Sequence, residues 1–568
     1  MVGWFKTFSK SRLASLAFVL AAGLSTAGAA PQGAAEEPLL DSTLLQALID
    51  IAQPGQVVTP LPGRYKSHLV ISKPIILDGK NQVTLDGEGV GSVLWIKANG
   101  ATVRNFRITN SGPSHAQQDA GIQVRGNDNV VEDIRMDNVL FGFSLEQSER
   151  NTVRRNVVEG KKISLGRRGD GIKLWYSHHN LIENNQFISG RDIVFWYSTH
   201  NRFVGNRQSG GRYGLHFMQA QYNVAESNYF FDNSTGISMM YDTGDVLRNN
   251  VIAKAVGAQG VCISLKESSE VVIENNDILY CSQGISIDVA PYEPDTKNIL
   301  RGNRIAFNDI GVAFLNDWKD NEFTGNLFTG NITEVAVYGG GSAKRNVWDA
   351  NRWEDYQGFD RDGNGVGDKP HKLYNYAGRV WMDKPNTRFF KGTPLLEVLD
   401  FLDRLAPFSE PVMMLEDKHP LVASDAKVKA GSTLETTEDL RRNADKPKPA
   451  GETPIAHDRG AGPVERSGGS TFAPKLDVAP YTPPSAPAAI APPAPPPAPV
   501  LPPAPVLPPS PAPVTAPPAP TAVSPPPAAA PPATIAPAAP SDSGQVFQRR
   551  RGSLEPQRPA SAGSKDDD

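Results

Sequence analysis

His216 and Met218 stand two places apart, and Met240 follows 22 residues after Met218. Residues two apart on an extended strand project from the same face. Thioether sulfur and imidazole are soft, neutral donors that select copper, above all Cu(I), over magnesium, calcium or manganese. If Met240 holds the place of Met218 in a neighbouring strand, all three side chains lean onto one ion. Trp175 and Trp196 fall in the same column and would shield such an ion from water. The same stripe of Trp, Trp, Met and Met reads equally well as an apolar docking patch for another protein. Met239 points the other way along the strand and belongs to a core.

Other chemistry-bearing residues are sparser. His179 and His200 end the parallel phrases Tyr176-Ser177-His178-His179-Asn180 and Tyr197-Ser198-Thr199-His200-Asn201, so they stack at a turn as a two-histidine metal site or as plain polar turn residues. His68 and His115 show no partners in sequence. Asp170 and Asp192, with Arg167, Arg168 and Arg191 nearby, form the best constellation for general-base chemistry on an acidic sugar, although Asp between glycines is more often a turn. Alternating oxygen side chains from Asp360 through Asp362 and Asn364 to Asp368 suit either a calcium clip or an Asp/Gly turn. A complete EF-hand is excluded, because His371 occupies its twelfth place. No phosphate-cradling loop, nucleophile elbow or metalloprotease helix motif is present.

The element that positions these residues is a repeat. A Gly-apolar-x-apolar phrase recurs from Gly121-Ile122-Gln123-Val124 to Gly311-Val312-Ala313-Phe314, its starts 21 to 29 residues apart. Asn-rich turn phrases such as Asn180-Leu181-Ile182-Glu183-Asn184-Asn185 and Asn201-Arg202-Phe203-Val204-Gly205-Asn206 alternate with it. Strands this short cannot bury a face alone, whereas stacked coils give each rung a backbone partner above and below. The expected fold is all-β, a right-handed parallel β-helix whose Asn corners form ladders. In this register the third-place column runs Gln123, Ser144, Lys173, Val194, His216, Ser238, Cys262. The fifth-place column runs Arg125, Glu146, Trp175, Trp196, Met218, Met240, Ser264. Cys262 is thereby placed outward, and Cys281, about five residues out of register with it, lies too far away laterally for an easy disulfide.

An open coil end exposes unpaired strand edges, so caps are required. Leu44, Leu45, Leu48 and Ile49 have the spacing of an N-terminal capping helix, and Leu395 to Leu405 that of a second amphipathic helix. Coils begin near Val57 and fade around Asn351. Lys6, Lys10 and Arg12 precede an apolar run and the small-residue site Ala27-Gly28-Ala29, the pattern of an export signal. The expected organisation is a signal peptide over 1–29, the capped β-helix over 30–351, a C-terminal cap over 352–421 and a disordered polar and Pro/Ala-rich tail over 422–568. Of 49 prolines, 28 lie between Thr471 and Pro540, where no packed core can form. A net charge of −4 gives no basic field for nucleic acid, and two cysteines exclude a disulfide scaffold or Cys-rich zinc module.

Longer blocks carry more than spacing. Gly169-Asp170-Gly171-Ile172-Lys173-Leu174-Trp175-Tyr176-Ser177, Gly190-Arg191-Asp192-Ile193-Val194-Phe195-Trp196-Tyr197-Ser198, Gly211-Arg212-Tyr213-Gly214-Leu215-His216-Phe217-Met218 and Trp353-Glu354-Asp355-Tyr356 through Asp368 resemble, in order, the NosD family of nitrous oxide reductase maturation proteins. The resemblance covers roughly Leu40 to Leu421 and leaves out the Pro-rich tail. It implies a non-catalytic periplasmic β-helix that reaches the membrane only through the permease and ATPase subunits of an ABC transporter. It also implies copper received from a lipoprotein chaperone and delivered to the copper-sulfur cluster of nitrous oxide reductase. The family's outward His and Met face would be His216, Met218 and Met240 here. A polysaccharide-modifying or carbohydrate-binding β-helix is the alternative.

Overall fold

The computed structural model describes residues 38–255, 260–375, 382, 384, 393–405, 411–422 and 436–444. Coil after coil contributes three short strands, each hydrogen-bonded in parallel to its equivalents in the coils before and after. One face is a sheet of twelve strands that runs from Leu69–Ile71 to Thr333–Val337. Its registers match like with like: Ile172 pairs with Ile193, Leu174 with Phe195, and Trp175 with Trp196. Inward places are filled by Ile, Leu, Val and Phe, so Phe195, Phe203, Phe217 and Phe230 are fully buried and pack on one another: Phe203 stacks on Phe230, while Phe195 meets Phe203 edge to face and Phe217 at a tilt. The fold is the expected parallel β-helix.

Asparagine ladders fix the corners. The backbone N–H of Asn156 donates to Asn185 Oδ1 at 2.9 Å, that of Asn185 to Asn206 at 2.9 Å, and that of Asn206 to Asn228 at 2.8 Å. The same ladder continues through Asn250, Asn276, Asn303 and Asn326 to Asn351. A second one climbs from Asn129 through Asn151, Asn180, Asn201 and Asn223 to Asp245. Each amide thus satisfies a buried backbone donor that a tight turn would otherwise orphan.

Both ends are closed. Helix Thr43–Ile51 seats Leu45 and Ile49 on the first coils, while Leu44 and Leu48, read as part of the same apolar set, are exposed. At the other end an antiparallel pair, His371–Asn375 with Val412–Asp417, brings the buried Asp417 beneath the long ladder. Asp417 Oδ2 accepts from Asn351 N at 2.9 Å, Asn351 Nδ2 at 3.0 Å and Trp353 Nε1 at 3.1 Å. Trp348 and Trp353 lie flat on Phe323 and Phe328, with centroids 4.1 and 4.3 Å apart. Helix Pro394–Leu405 forms where the leucine spacing places it.

Two readings need correction. Cys262 and Cys281 form a disulfide, their Cα atoms 5.8 Å apart, and Cys262 is buried in the core rather than outward. The coil before Cys262 is longer, so Ile263 pairs with Ile237 and Cys262 falls beside Gly236. That place is a corner from which a side chain points inward: a Cβ on Gly236 would meet Ile252 at 2.2 Å. Within the stretch read as a polar tail from 422, helix Thr437–Ala444 packs on the side of the coils. Its Leu440 is buried against a small outward cluster that includes Ile188, Tyr229 and Phe231. The signal segment and the Pro-rich stretch lie outside the described residues.

Candidate functional site

Strands Asp192–Trp196, Tyr213–Met218 and Thr235–Met240 are consecutive in the twelve-stranded sheet. Val194 pairs with His216 and His216 with Ser238; Trp196 pairs with Met218 and Met218 with Met240. Because paired strands lie about 4.8 Å apart, His216, Met218 and Met240 form one outward cluster, as the spacing requires. All three are partly buried, and Met239 is in the core. The next rung corrects the register: Lys266, not Ser264, is the neighbour of Met240.

His216 is the unusual member. Its Nε2 is buried without a hydrogen-bond partner, as are the nearby Trp196 Nε1 and Ser238 Oγ. The Tyr213 ring packs on it with centroids 4.7 Å apart. Burial pushes its pKa down to about 4; Asp192 opposes that shift, and the Arg212 and Arg191 guanidinium groups add to it. A neutral imidazole with a dehydrated, unpartnered ring nitrogen beside two thioethers is a donor set suited to a soft cation. Trp196 meets Trp175 edge to face at 4.8 Å and closes one side, while Lys173 lies over Trp175 at 5.2 Å.

The acidic neighbours are locked. Asp170 and Asp192 are buried, and Arg191 spans them at 3.1 and 3.4 Å. Arg212 also pairs with Asp192, whose Oδ1 accepts from Tyr213 N at 3.1 Å. Burial pushes the Asp170 carboxyl up to about 7, against the pull of Arg191. Tyr213 and Arg212 escaped the sequence reading, whose register set Asp192 beside Gly214; an irregularity between Asp192 and Val194 pairs Asp192 with Tyr213 instead.

The remaining histidines separate. His179 and His200 stack at their turn, centroids 4.9 Å apart, while His178 Nδ1 turns to Thr199 Oγ1 at 2.9 Å. His68 Nδ1 meets Ser92 O at 3.0 Å and His115 Nε2 meets Arg167 O at 2.9 Å. In the Asp360–Asp368 loop the side-chain oxygens are engaged by the loop itself: Asp360 accepts from Asn364 N at 3.1 Å and Gly365 N at 2.8 Å, and Asn364 Oδ1 from Val366 N at 2.7 Å. Among the described residues no three His, Cys, Asp or Glu side chains converge on a common point, so calcium at this loop lacks support.

Residues 155–361, which span every strand of the cluster, match the family model described as periplasmic copper-binding protein (NosD). A probable ABC transporter binding protein NosD of Pseudomonas aeruginosa is 28% identical over 404 residues, 64% of this chain and 87% of that one. The protein of the same description from Stutzerimonas stutzeri is 27% identical over 129 residues, 22% of this chain and 29% of its own length. Among solved structures, the A-module of the Azotobacter vinelandii mannuronan C-5 epimerase AlgE4 aligns at a TM-score of 0.41 and 17% identity, covering 55% of this chain and 97% of that one. The matched segment includes the coils that carry His216, Met218 and Met240, and over it this chain is similar to the NosD family.

Proposed function

We propose that this protein is a non-catalytic periplasmic accessory factor that carries Cu(I) as cargo on His216, Met218 and Met240. It works with an ABC transporter, takes copper from a lipoprotein chaperone and serves assembly of the copper-sulfur cluster of nitrous oxide reductase. The observation that carries the reading is the partnerless His216 Nε2, held neutral on the same outward face as two thioethers. Similarity to a periplasmic copper-binding family and to a probable ABC transporter binding protein of Pseudomonas aeruginosa supports copper and the transporter. Three soft ligands at a partly open surface suit a carrier, since the ion must leave as well as arrive.

The polysaccharide reading draws on Asp170 and Asp192, but each carboxylate is committed to an arginine. A general base must reach its proton, and Asp170 is buried beneath that ion pair. Competition of the full chain with a chromophoric Cu(I) chelator tests the assignment. His216→Ala and Met218→Ala should each weaken binding at least tenfold, about 1.4 kcal/mol, with the far-ultraviolet dichroism unchanged. Wild-type affinity in both folded variants would remove the site, and uronate turnover abolished by Asp170→Asn would favour the enzyme instead.

A further inference from the structure

A cleft of about 640 Å³ opens at the corner between strands Arg207–Ser209 and Tyr213–Met218, and none of His216, Met218 and Met240 lines it. Gly210 and Gly211, Asn233 and Ser234, and Lys254 come from that corner in three successive coils. Arg168 and Leu165 reach it from a long loop that joins Val157–Gly160 to Ile172–Trp175, where the next coil needs only Ser189, Gly190 and Arg191. Loops that outgrow their counterparts on a rigid scaffold are where binding residues concentrate. Leu165 is the one large apolar side chain of the lining, so the cleft does not suit an apolar ligand.

Arg168 is the unusual member of this lining. Its Nε donates to Ile163 O at 2.8 Å and its Nη1 to Gly210 O at 3.0 Å, so two carbonyls fix the guanidinium. Among the described residues its Nη2 has no partner and no carboxylate pairs with it, whereas Arg191, Arg212 and Arg441 around it are all in ion pairs. Arg441 lies near enough to repel it. Asn233, 4% exposed, accepts from Gly211 N at 2.8 Å, but its Nδ2 is buried without a partner. At the same corner of later coils Asn308 and Asn331 send theirs to Ile278 O at 3.1 Å and Ile305 O at 2.8 Å. Lys254 and the Ser234 side chain complete the donors. Asp232 is the one carboxylate of the lining, and it is engaged elsewhere: its Oδ2 accepts from Thr437 N and Thr437 Oγ1, both at 3.0 Å. A half-buried guanidinium without a counter-ion is costly, and its planar fork matches an oxyanion. We infer that this cleft is an anion site that takes a small oxyanion, of the phosphate, sulfate or carboxylate class, on Arg168 Nη2, with Lys254 and Ser234 as further contacts. The inference does not depend on copper.

Titration calorimetry of the full chain with phosphate, sulfate and acetate tests the site, at constant ionic strength so that general screening is the same throughout. Wild type should take up one equivalent of at least one of the three, and the order of affinities tells a tetrahedral oxyanion from a carboxylate. Arg168→Gln should weaken that binding at least tenfold, about 1.4 kcal/mol, with the far-ultraviolet dichroism unchanged. Ser234→Ala leaves both carbonyl bonds of Arg168 in place and should weaken it about threefold, the worth of one neutral hydrogen bond. No saturable heat with any of the three anions, or wild-type affinity in folded Arg168→Gln, would overturn the site. Should Arg168→Gln not fold, wild-type affinity in Ser234→Ala would overturn it in its place.

Discussion

Asp245 occupies a place that asparagine fills on the rungs before it, and replacing it by asparagine should stabilise the chain in a pH-dependent way. Its Oδ1 does the ladder's work, accepting from Asn223 N at 2.7 Å and Asn223 Nδ2 at 3.2 Å. On earlier rungs the second side-chain atom is an Nδ2 that donates to a carbonyl: Asn180 to Ser148 O, Asn201 to Ser177 O, Asn223 to Ser198 O. Asp245 instead presents Oδ2, buried and partnerless, and burial pushes its carboxyl up to about 7. Folded chains therefore hold a proton that unfolded chains release at the ordinary value of 3.8, so stability falls as pH rises from there to about 7 and stays reduced above it. Three pH units correspond to a ceiling of about 4 kcal/mol, and relaxation around the carboxylate brings the expected loss to about 2 kcal/mol. Asp245→Asn removes that titration. Its gain should be near zero at about pH 4, where a protonated Asp245 can itself donate, and about 2 kcal/mol at about pH 8, or about 2 °C in melting temperature for a folded part of this size. Comparing wild type and variant at each pH cancels the titrating groups remote from Asp245; the buried Asp242, whose carboxyl Asp245 helps to push up, is relieved by the same substitution and adds to the gain at the higher pH. An equal gain at both pH values, or a loss at the higher one, would refute the ladder argument.

Reduction of the Cys262–Cys281 bridge, which closes a 19-residue separation, should lower stability by about 3 kcal/mol in denaturant melts. Asp417→Ala strips Asn351 N, Asn351 Nδ2 and Trp353 Nε1 of their acceptor. At about 1 kcal/mol or more for each orphaned donor, the loss should exceed about 3 kcal/mol and appear as faster amide exchange in the final coils. Leu440→Asp should release helix Thr437–Ala444, whose leucine burial contributes about 2 kcal/mol, so trypsin should cut after Arg441 and Arg442 at least tenfold faster while the coils melt unchanged.

What could be read from the sequence divides along a physical line. Asn156, Asn185, Asn206 and Asn228 state the same requirement at every coil, a donor in a tight corner that needs an acceptor one rung away, and such repetition makes ladder, period and fold legible. The outward cluster was legible for the same reason, because Trp196, Met218 and Met240 hold one place in consecutive phrases. Alignment on glycine failed at Cys262. Glycine marks the corner where a side chain turns inward, as the 2.9 Å approach of a Cβ on Gly214 to Phe230 shows, and a longer preceding coil slid Cys262 into that place. Parity along a strand does not survive the bend, so an inward cysteine was read as outward and its disulfide was missed. The chemistry of His216 was hidden differently: its neutrality depends on burial set by Tyr213 above and on Arg212 and Arg191 beside it, none of which a single strand announces. Helix Thr437–Ala444 marks the far limit. It is polar on nearly every side and buries one leucine, while Arg441 reaches Glu159 at 3.1 Å and Ser189 at 2.7 Å across hundreds of residues. One apolar side chain creates no periodicity, so a contact made once leaves no pattern to find, however firmly it holds.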